Sequence, residues 1–339
     1  MKSKKQKLDF IKKFKNYLSN IFLIWFFILI YNTIEYYQNF LSPITQTTLF
    51  YLALAYTVLG FLFYLFTPLE RISKSKGTII LGFFYKNLKS TFRLKKPSIS
   101  KKEKTALLFV LVKAFFLPIM LNFVFGNYHH LNNLLNDLFE LKPNLDIQTF
   151  NTMLFPLLLT GIFFIDTAIF ALGYLFESSF LKNKIKSVEP TFLGWFVALA
   201  CYPPFNGFIT NYLDWFANDY AFFYNSQITF FIRIFIISLL IVYVSATIAL
   251  GTKASNLTNR GIVTRFPYSI IRHPAYISKN LAWWITILPV ISMPAILSMG
   301  TWSFIYHLRT ITEERHLLQD PDYKDYCKKI KYRYIPGVY

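Results

Sequence analysis

Long apolar stretches alternate with short polar ones through most of the chain. An apolar stretch of about 20 residues is long enough to cross a bilayer as a helix. Pro203-Pro204 is expected to break or bend one of these stretches, because proline lacks an amide donor and clashes with the preceding helical turn. Six spans are predicted before residue 252: Leu18–Tyr37, Thr48–Thr67, Thr105–Gly126, Phe150–Phe176, Phe192–Ile209 and Ile228–Gly251.

The last apolar stretch, Tyr276–Arg309, is 34 residues long, about twice the minimum of about 17 that crosses a bilayer. Pro289 and Pro294 lie near its middle. We therefore predict a helical hairpin that returns the chain to the side from which it entered. The fold class is an all-α polytopic membrane protein with about eight transmembrane helices, and both termini are expected in the cytoplasm.

Composition agrees with a membrane protein. The 339 residues are 54% apolar and only 16% charged, with a mean hydropathy of +0.38. Soluble domains carry about 25% charged residues. We expect an integral protein of the inner or plasma membrane, in contact with membrane lipids.

The net charge is +19, and the positions of the basic residues along the chain indicate how the protein is oriented in the membrane. Of the 36 Lys and Arg residues, 33 fall in five clusters, and the loops between these clusters are almost free of basic residues. Basic loops on alternate sides follow the positive-inside pattern, so the clusters are placed in the cytoplasm and no nucleic-acid partner is expected. The clusters are Met1–Tyr17, Leu69–Lys104, Leu181–Thr191, Lys253–Asn280 and Arg309–Tyr339.

The chain is interpreted as one integrated membrane domain with two regions. Residues 1–251 form a six-helix scaffold, which includes the cytoplasmic basic loop 69–104, and residues 252–339 hold the motifs. Within that loop the apolar island Thr78–Tyr85 predicts a helix in the headgroup layer. Leucines at a helical period predict a short surface helix in Tyr128–Thr149.

Two polar motifs flank the hairpin. Before it the chain reads Arg272-His273-Pro274-Ala275-Tyr276, and after it come Glu313-Glu314. If the hairpin forms, both motifs lie on the same cytoplasmic face and can form two walls of one pocket. Adjacent helical residues point about 100° apart, so one glutamate is expected to face the pocket and the other to pair elsewhere.

The region Thr258–Pro336 resembles the isoprenylcysteine carboxyl methyltransferase family, which is related to the membrane phospholipid methyltransferases. The resemblance rests on the two motifs, their order and spacing, and a Tyr-x-x-Tyr…Arg…Pro tail. It implies a cytoplasm-facing pocket for S-adenosylmethionine beside a lipid-accessible substrate tunnel. The implied cofactor-binding residues are Tyr268, Arg272, His273, Pro274, Tyr276, Glu313 and Glu314.

The residue types suit S-adenosylmethionine independently of the resemblance. An arginine fork binds a carboxylate bidentately, and His273 can contact the carboxylate or the adenine edge. Tyr268 and Tyr276 offer stacking faces, which also suit a sulfonium. A glutamate can accept hydrogen bonds from ribose hydroxyls or from the ammonium. Pro274 restricts the loop.

Methyl transfer from a sulfonium depends on positioning and desolvation more than on acid–base chemistry. Two residues are candidates for catalytic roles. Arg333, carried over from the family's tail, would hold a carboxylate acceptor, and His273 is a candidate base for an amine acceptor. No metal site is expected. The sequence predicts a hydrophobic or lipid-linked acceptor and leaves a carboxylate, an amine and a thiol open.

The sequence departs from the family pattern at two places. Ser278 stands where a glycine is frequent, followed by Lys279-Asn280, and Phe266-Pro267-Tyr268 replaces Gly-Pro-Tyr. These departures bear on how closely the backbone approaches the cofactor.

Two other classes of protein remain open. The tail also resembles that of membrane sterol reductases, which use NADPH, although those enzymes usually show Arg-Asp in place of Glu313-Glu314. A non-catalytic transport or assembly protein is the third hypothesis, suggested by the long upstream region and by ionisable residues inside predicted spans. Such residues usually pair within the bundle, and Lys113 with Asp166 is the predicted pair. Arg233 is a further example.

Overall fold

The computed structural model describes residues 2–67, 69, 75–94, 96–178 and 180–338, and for residues 2–7 it describes the backbone alone. Two compact units are present, Met1–Pro118 and Ile119–Tyr339. The sequence analysis divided the chain at residue 251 into a scaffold and a region that holds the motifs. That division was made by function, and it stays a prediction.

The described residues are mainly helical. The helices are α1 (Lys2–Thr33), α2 (Glu35–Phe40), α3 (Pro43–Phe66), α4 (Lys76–Phe92), α5 (Lys101–Leu141), α6 (Ile147–Thr149), α7 (Phe155–Leu175), α8 (Phe192–Leu199), α9 (Phe205–Thr210), α10 (Ser226–Leu250), α11 (Pro274–Thr286), α12 (Met293–Leu317) and α13 (Pro321–Lys329). A π-helical turn, Phe150–Leu154, joins α6 to α7. Two-residue strands β1 (Ser187–Val188) and β2 (Thr258–Asn259) pair antiparallel, with Ser187 opposite Asn259.

Five helical segments of the described chain are long and apolar enough to cross a membrane. Together with the helical content they confirm a helical membrane protein, while the count of eight spans and the cytoplasmic termini stay predictions. The candidate spans are Leu8–Thr33, Pro43–Phe66, Lys101–Leu141, Ile147–Leu175 and Ser226–Lys253.

In the first unit, α1 packs against α3 and α4. Polar side chains of α1 reach its neighbours inside this packing: the Tyr17 hydroxyl donates to the Thr57 carbonyl at 2.7 Å, and the Thr78 hydroxyl donates to Asn16 Oδ1 at 2.7 Å. Gly77 permits the close approach of α4, since a Cβ at this position would lie 2.7 Å from the Ser19 carbonyl oxygen. The apolar island Thr78–Tyr85, predicted as a helix, lies inside α4, whose position in the headgroup layer stays a prediction.

In the second unit, α7, α10 and α11 pack around one apolar core. Asn225 caps α10 by accepting from the Ile228 amide at 2.8 Å. Gly173 lets the segment after α10 cross α7 at close range, because a Cβ there would lie 2.2 Å from the Ala254 carbonyl oxygen. This crossing holds the segment after α10 against α7.

The helical hairpin is present. α11 begins at Pro274, a single 3₁₀ turn at Leu288–Val290 reverses the chain, and α12 begins at Met293 with Ser292 as its cap. Proline is favoured in the first turn of a helix because no amide donor is needed there, so Pro274 and Pro294 start the two arms, while Pro289 lies in the turn. At 13 residues, α11 is shorter than a full span.

Two predicted elements differ from the structure. The third span and the surface helix after it form one continuous 41-residue helix, α5, which ends only at Leu141 before Lys142-Pro143. No turn signal interrupts the helical pattern between them, and Pro118 is accommodated inside. The predicted fifth span is two short helices, α8 and α9, with the expected break at Pro203-Pro204 between them.

The ionisable residues of the spans are bound within the protein. Arg233 is buried, donates to the Tyr220 and Ala221 carbonyls at 3.0 and 3.2 Å, and lies over the Phe155 ring. Asp166 accepts hydrogen bonds from Tyr243 and Thr247, each at 2.6 Å. Its pairing with Lys113, which belongs to the first unit, stays a prediction.

Candidate functional site

The Arg-His-Pro loop is held in place by the C-terminal tail. The Arg272 amide donates to the Tyr332 carbonyl and the His273 amide to the Arg333 carbonyl, each at 3.0 Å. The Tyr326 hydroxyl donates to the Tyr268 carbonyl at 2.7 Å. These bonds pair the backbone of the loop with a segment about 60 residues later in the chain, so the loop and the tail form one structural unit.

Behind the loop lies an ion cluster, formed by Arg272, His273, Glu314 and Arg333. Glu314 Oε1 lies 3.0 Å from His273 Nε2 and 3.2 Å from Arg272 Nη1, and Oε2 accepts from Arg333 Nη2 at 2.6 Å. The side chains of Glu314 and His273 are only 5% and 4% exposed. Three cationic or hydrogen-bonding partners thus surround one buried carboxylate.

The environment of Glu314 sets its charge. Burial raises the pKa of this carboxyl, but hydrogen bonds from His273 and Arg333 and the charge of Arg272 outweigh burial and lower the pKa to about 2. Glu314 is therefore ionised at neutral pH. Bonds from charged donors are the stronger hydrogen bonds of proteins, so the ion cluster fixes the start of α11 against the end of α12.

Glu313 faces the opposite way. Its Oε2 accepts from the Tyr276 hydroxyl at 2.8 Å, and both residues line the main cavity of the second unit. The two adjacent carboxylates thus separate as expected from the helical rotation, one toward the cavity and one into the ion cluster.

The cavity has a volume of about 450 Å³, within the range of about 300–1,000 Å³ of small-molecule sites. Its wall combines polar residues near the motifs with aromatic residues of α7, α10 and α11. The predicted site residues on the wall are Tyr268, Arg272, His273, Tyr276 and Glu313.

The other three predicted residues do not belong to the cavity wall that the described residues form. Pro274 is buried at the start of α11, and Glu314 and Arg333 belong to the ion cluster. Arg333 donates through Nε and Nη2 to one oxygen of Glu314, at 3.2 and 2.6 Å. Because Glu314 also binds Arg272 and His273, the Arg333 guanidinium stabilises the Arg-His-Pro loop through this carboxylate.

The sequence analysis did not single out Arg309, Glu189 or His316, which also lie on the wall. Arg309 on α12 lies over the rings of Tyr276 and Tyr202, at 5.5 and 5.7 Å, and donates to Asn256. Its position four residues before Glu313 places it on the same helix face, and this spacing is a signal that was available in the sequence.

Glu189 and His316 lie beside the β1–β2 ribbon. Glu189 is 2% exposed, binds Thr191 and Arg315 through Oε1, and lines the cavity. His316 Nε2 lies 2.8 Å from the Ser187 hydroxyl, and burial lowers the pKa of His316 below its ordinary value. Only the pairing of β1 with β2 brings residues 187–189 to the site, so no local signal marked them.

Arg272 and Glu189 each contribute to the wall a buried polar atom without a hydrogen-bond partner among the residues that the structure describes. These atoms are Arg272 Nε, a donor, and Glu189 Oε2, an acceptor. Buried polar atoms in folded proteins almost always have a partner. A ligand that carries both an acid and donor groups would supply partners for both atoms.

Fold and site together define a polytopic helical membrane protein with a cavity of about 450 Å³ at the paired motifs of its second unit. Residues 226–320 match the model of the phospholipid methyltransferase family. The matched segment contains α10, the hairpin and both motifs. Neither a curated protein nor a solved structure matches the chain. The family match confirms the resemblance of the C-terminal region to membrane methyltransferases.

Proposed function

We propose that this protein is a membrane methyltransferase that uses S-adenosylmethionine and modifies a hydrophobic or lipid-linked acceptor. The observation that carries the proposal is the closure of the two motifs around one cavity, inside the segment that matches the phospholipid methyltransferase family. The match gives no support to the reductase or to the transport hypothesis. We further propose that the motifs face the cytoplasm, from the charge pattern of the loops.

The wall residues fit the chemical groups of this cofactor. The buried Arg272 Nε, without a partner in the described chain, suits the carboxylate. Glu313 and Glu189 suit donor groups, namely the ammonium and the ribose hydroxyls. The rings of Tyr276 and Tyr268 provide apolar faces for the adenine or the sulfonium. Burial raises the pKa of Tyr268 above its ordinary value, so its hydroxyl stays neutral.

When bound, S-adenosylmethionine supplies an electrophilic methyl group on a positively charged sulfur. The residues of this chain then have to hold the acceptor in line and exclude water. A carboxylate acceptor needs no base, whereas an ammonium must first lose a proton. Because His273 and Arg333 are both bound to Glu314, we propose that they position the loop instead of acting as base and acceptor clamp.

Titration of the purified protein with labelled S-adenosylmethionine tests the proposal. We expect saturable binding that Glu313→Gln weakens about tenfold, the value of one hydrogen bond to a charged group. Glu140→Gln, an exposed glutamate near the end of α5, is the matched control and should bind like the wild type. Absence of binding by the wild type would refute the proposal.

The acceptor is identified by comparing lipid extracts of cells with and without the gene by mass spectrometry. A lipid class whose mass increases by one CH2 group only in the presence of the gene is the expected result.

A further inference from the structure

Lys279 occupies an unusual place for a lysine. It lies three residues after Tyr276 on α11, which puts both side chains on the same helix face, and both line the cavity. The contacts of Lys279 are with α7, α10 and α11, on the part of the wall formed by Phe163, Tyr243 and Trp283. Helix α11 thus places the Lys279 ammonium on the same cavity wall as the motif residues, three positions after Tyr276.

Three aromatic rings surround the Lys279 ammonium. Nζ lies 4.8 Å from the ring centroid of Tyr243 and 5.2 Å from those of Phe163 and Trp283. Its hydrogen-bond partner is the Tyr243 hydroxyl, at a long 3.5 Å. These contacts fix the position of the ammonium, but each ring attracts a cation only weakly compared with a full negative charge.

Two carboxylates act on Lys279 electrostatically, Asp166 and Asp219, and Asp166 is already engaged in hydrogen bonds. Asp166 accepts from the Tyr243 and Thr247 hydroxyls, each at 2.6 Å. Over the described ranges, none of the ion pairs within 4.0 Å involves Lys279. The ammonium therefore lies on the cavity wall among three aromatic rings. The two aspartates act on it electrostatically, but neither forms one of these ion pairs with it.

A charged group in low-polarity surroundings is stable when a counter-charge is bound to it. We propose that Lys279 is a specificity-determining residue that binds an anionic group, a phosphate or a carboxylate, of the methyl acceptor. The inference rests on the proposed function and deepens it: the acceptor is an anionic or zwitterionic amphiphile. The aromatic and apolar wall around Lys279 suits the hydrophobic part of the same molecule.

The acceptor is a better occupant of this position than the cofactor's own carboxylate. The candidate cofactor groups, Arg272 with its buried Nε and Glu313, lie at the ends of α11 and α12 where the motifs meet. Lys279 contacts the side chains of α7 and α10, away from the ion cluster. Methyl transfer requires the cofactor and the acceptor to bind next to each other in one cavity. The wall offers a region for each, namely the motif residues and the surroundings of Lys279.

Binding of simple amphiphiles to the full-length protein in dodecyl maltoside tests the inference. The probes are dodecyl phosphate, dodecanoate, dodecyltrimethylammonium and inorganic phosphate, and binding of S-adenosylmethionine is measured on the same samples. We expect Lys279→Met to weaken binding of the preferred anionic amphiphile by at least about tenfold, as for the loss of one buried ion pair. Lys279→Arg should retain most of the affinity.

Lys324→Met is the matched control, because Lys324 is exposed on α13, and it should leave amphiphile binding unchanged. In all variants, affinity for S-adenosylmethionine should stay within about twofold, which also shows that the proteins are folded. A preference for dodecyl phosphate or for dodecanoate supports the inference and identifies the anion.

Other results would overturn it. Unchanged amphiphile binding by Lys279→Met, stronger binding of dodecyltrimethylammonium than of the anions, or inorganic phosphate binding as tightly as dodecyl phosphate each contradicts an amphiphile anion at Lys279. Loss of S-adenosylmethionine binding in Lys279→Met would assign the lysine to the cofactor. If the wild type binds no S-adenosylmethionine at all, the proposed function fails instead.

Discussion

The cavity wall and the ion cluster behind it contain the same kinds of side chain but place them in different surroundings. On the wall, Glu313 makes one hydrogen bond, to Tyr276, and retains acceptor capacity toward the cavity. In the cluster, Glu314 is bound by three side chains and is almost fully buried. Two glutamates that are neighbours in the sequence therefore have different tasks: one is available to a ligand, and the other stabilises the fold.

The two glutamates differ because protein donors occupy the hydrogen-bond acceptor sites of the Glu314 carboxylate. A carboxylate has about four lone-pair sites, and in Glu314 these are used by protein donors from the motif loop and the tail. Mutations should therefore separate stability from binding, with the ion cluster affecting mainly the former and the wall mainly the latter.

Glu314→Gln should have the largest effect. Removal of this buried charge leaves the half-buried Arg272 and Arg333 without a counter-ion, and breaking a buried pair costs about 3–5 kcal/mol. The free energy of unfolding, measured by denaturant titration in detergent, should fall by this amount. Stability equal to that of a Glu140→Gln control would contradict the proposed role of the cluster.

Acid should reproduce part of this effect. The pKa of Glu314 is lowered from 4.5 to about 2 in the folded protein, so its stabilising contribution is complete above pH 4.5 and is lost as the pH falls toward 2. The wild type should lose stability over this window more steeply than Glu314→Gln. Parallel pH curves for the two proteins would argue against a lowered pKa.

Arg333→Met should have a smaller effect of about 1.5–3 kcal/mol on the free energy of unfolding, as for hydrogen bonds to a charged group. Arg333→Lys should recover only part of it, because lysine lacks the planar guanidinium fork. A variant with wild-type stability and a raised KM for the acceptor would instead favour the role that the family resemblance implies for this arginine.

Glu313→Gln should leave the free energy of unfolding within about 0.5 kcal/mol of the wild type, as expected at a site away from the buried network. Its cofactor affinity should fall about tenfold. Tyr276→Phe, which removes the donor to Glu313, should weaken binding less. The comparison of wall and cluster would be wrong if Glu313→Gln destabilised the protein as much as Glu314→Gln.

Ser187→Ala should have a small effect. It removes the hydrogen bond to His316 and should lower the free energy of unfolding by about 1 kcal/mol. Because the pKa of His316 lies below its ordinary value of 6.5, the stability contribution of the neutral ring is present above pH 6.5 and declines as the pH falls below it. Thermal unfolding at pH 7.5 and 5.5 measures both effects.

The sequence by itself determined the elements and the motif residues. Apolar length defined the spans, Pro289 marked the turn of the hairpin, and helical rotation predicted that Glu313 and Glu314 would point in different directions. Local patterns contain this information because the periodicity of a helix and the missing amide of proline act within a few residues. The same locality explains the errors: no turn signal ended α5 before Leu141, and the short helices α8 and α9 read as one apolar span.

Only the tertiary structure decided which glutamate faces the cavity and what the other residues do. Arg333 bonds to Glu314 because the tail returns to the motif loop, Glu189 reaches the site through the β1–β2 pairing, and Lys279 meets its aromatic cage through contacts of α11 with α7 and α10. Apart from the contact of Lys279 with Trp283 on the same helix, these contacts join residues of different elements. Their partners depend on how the helices pack, and packing is set by long-range apolar contacts that no local pattern records.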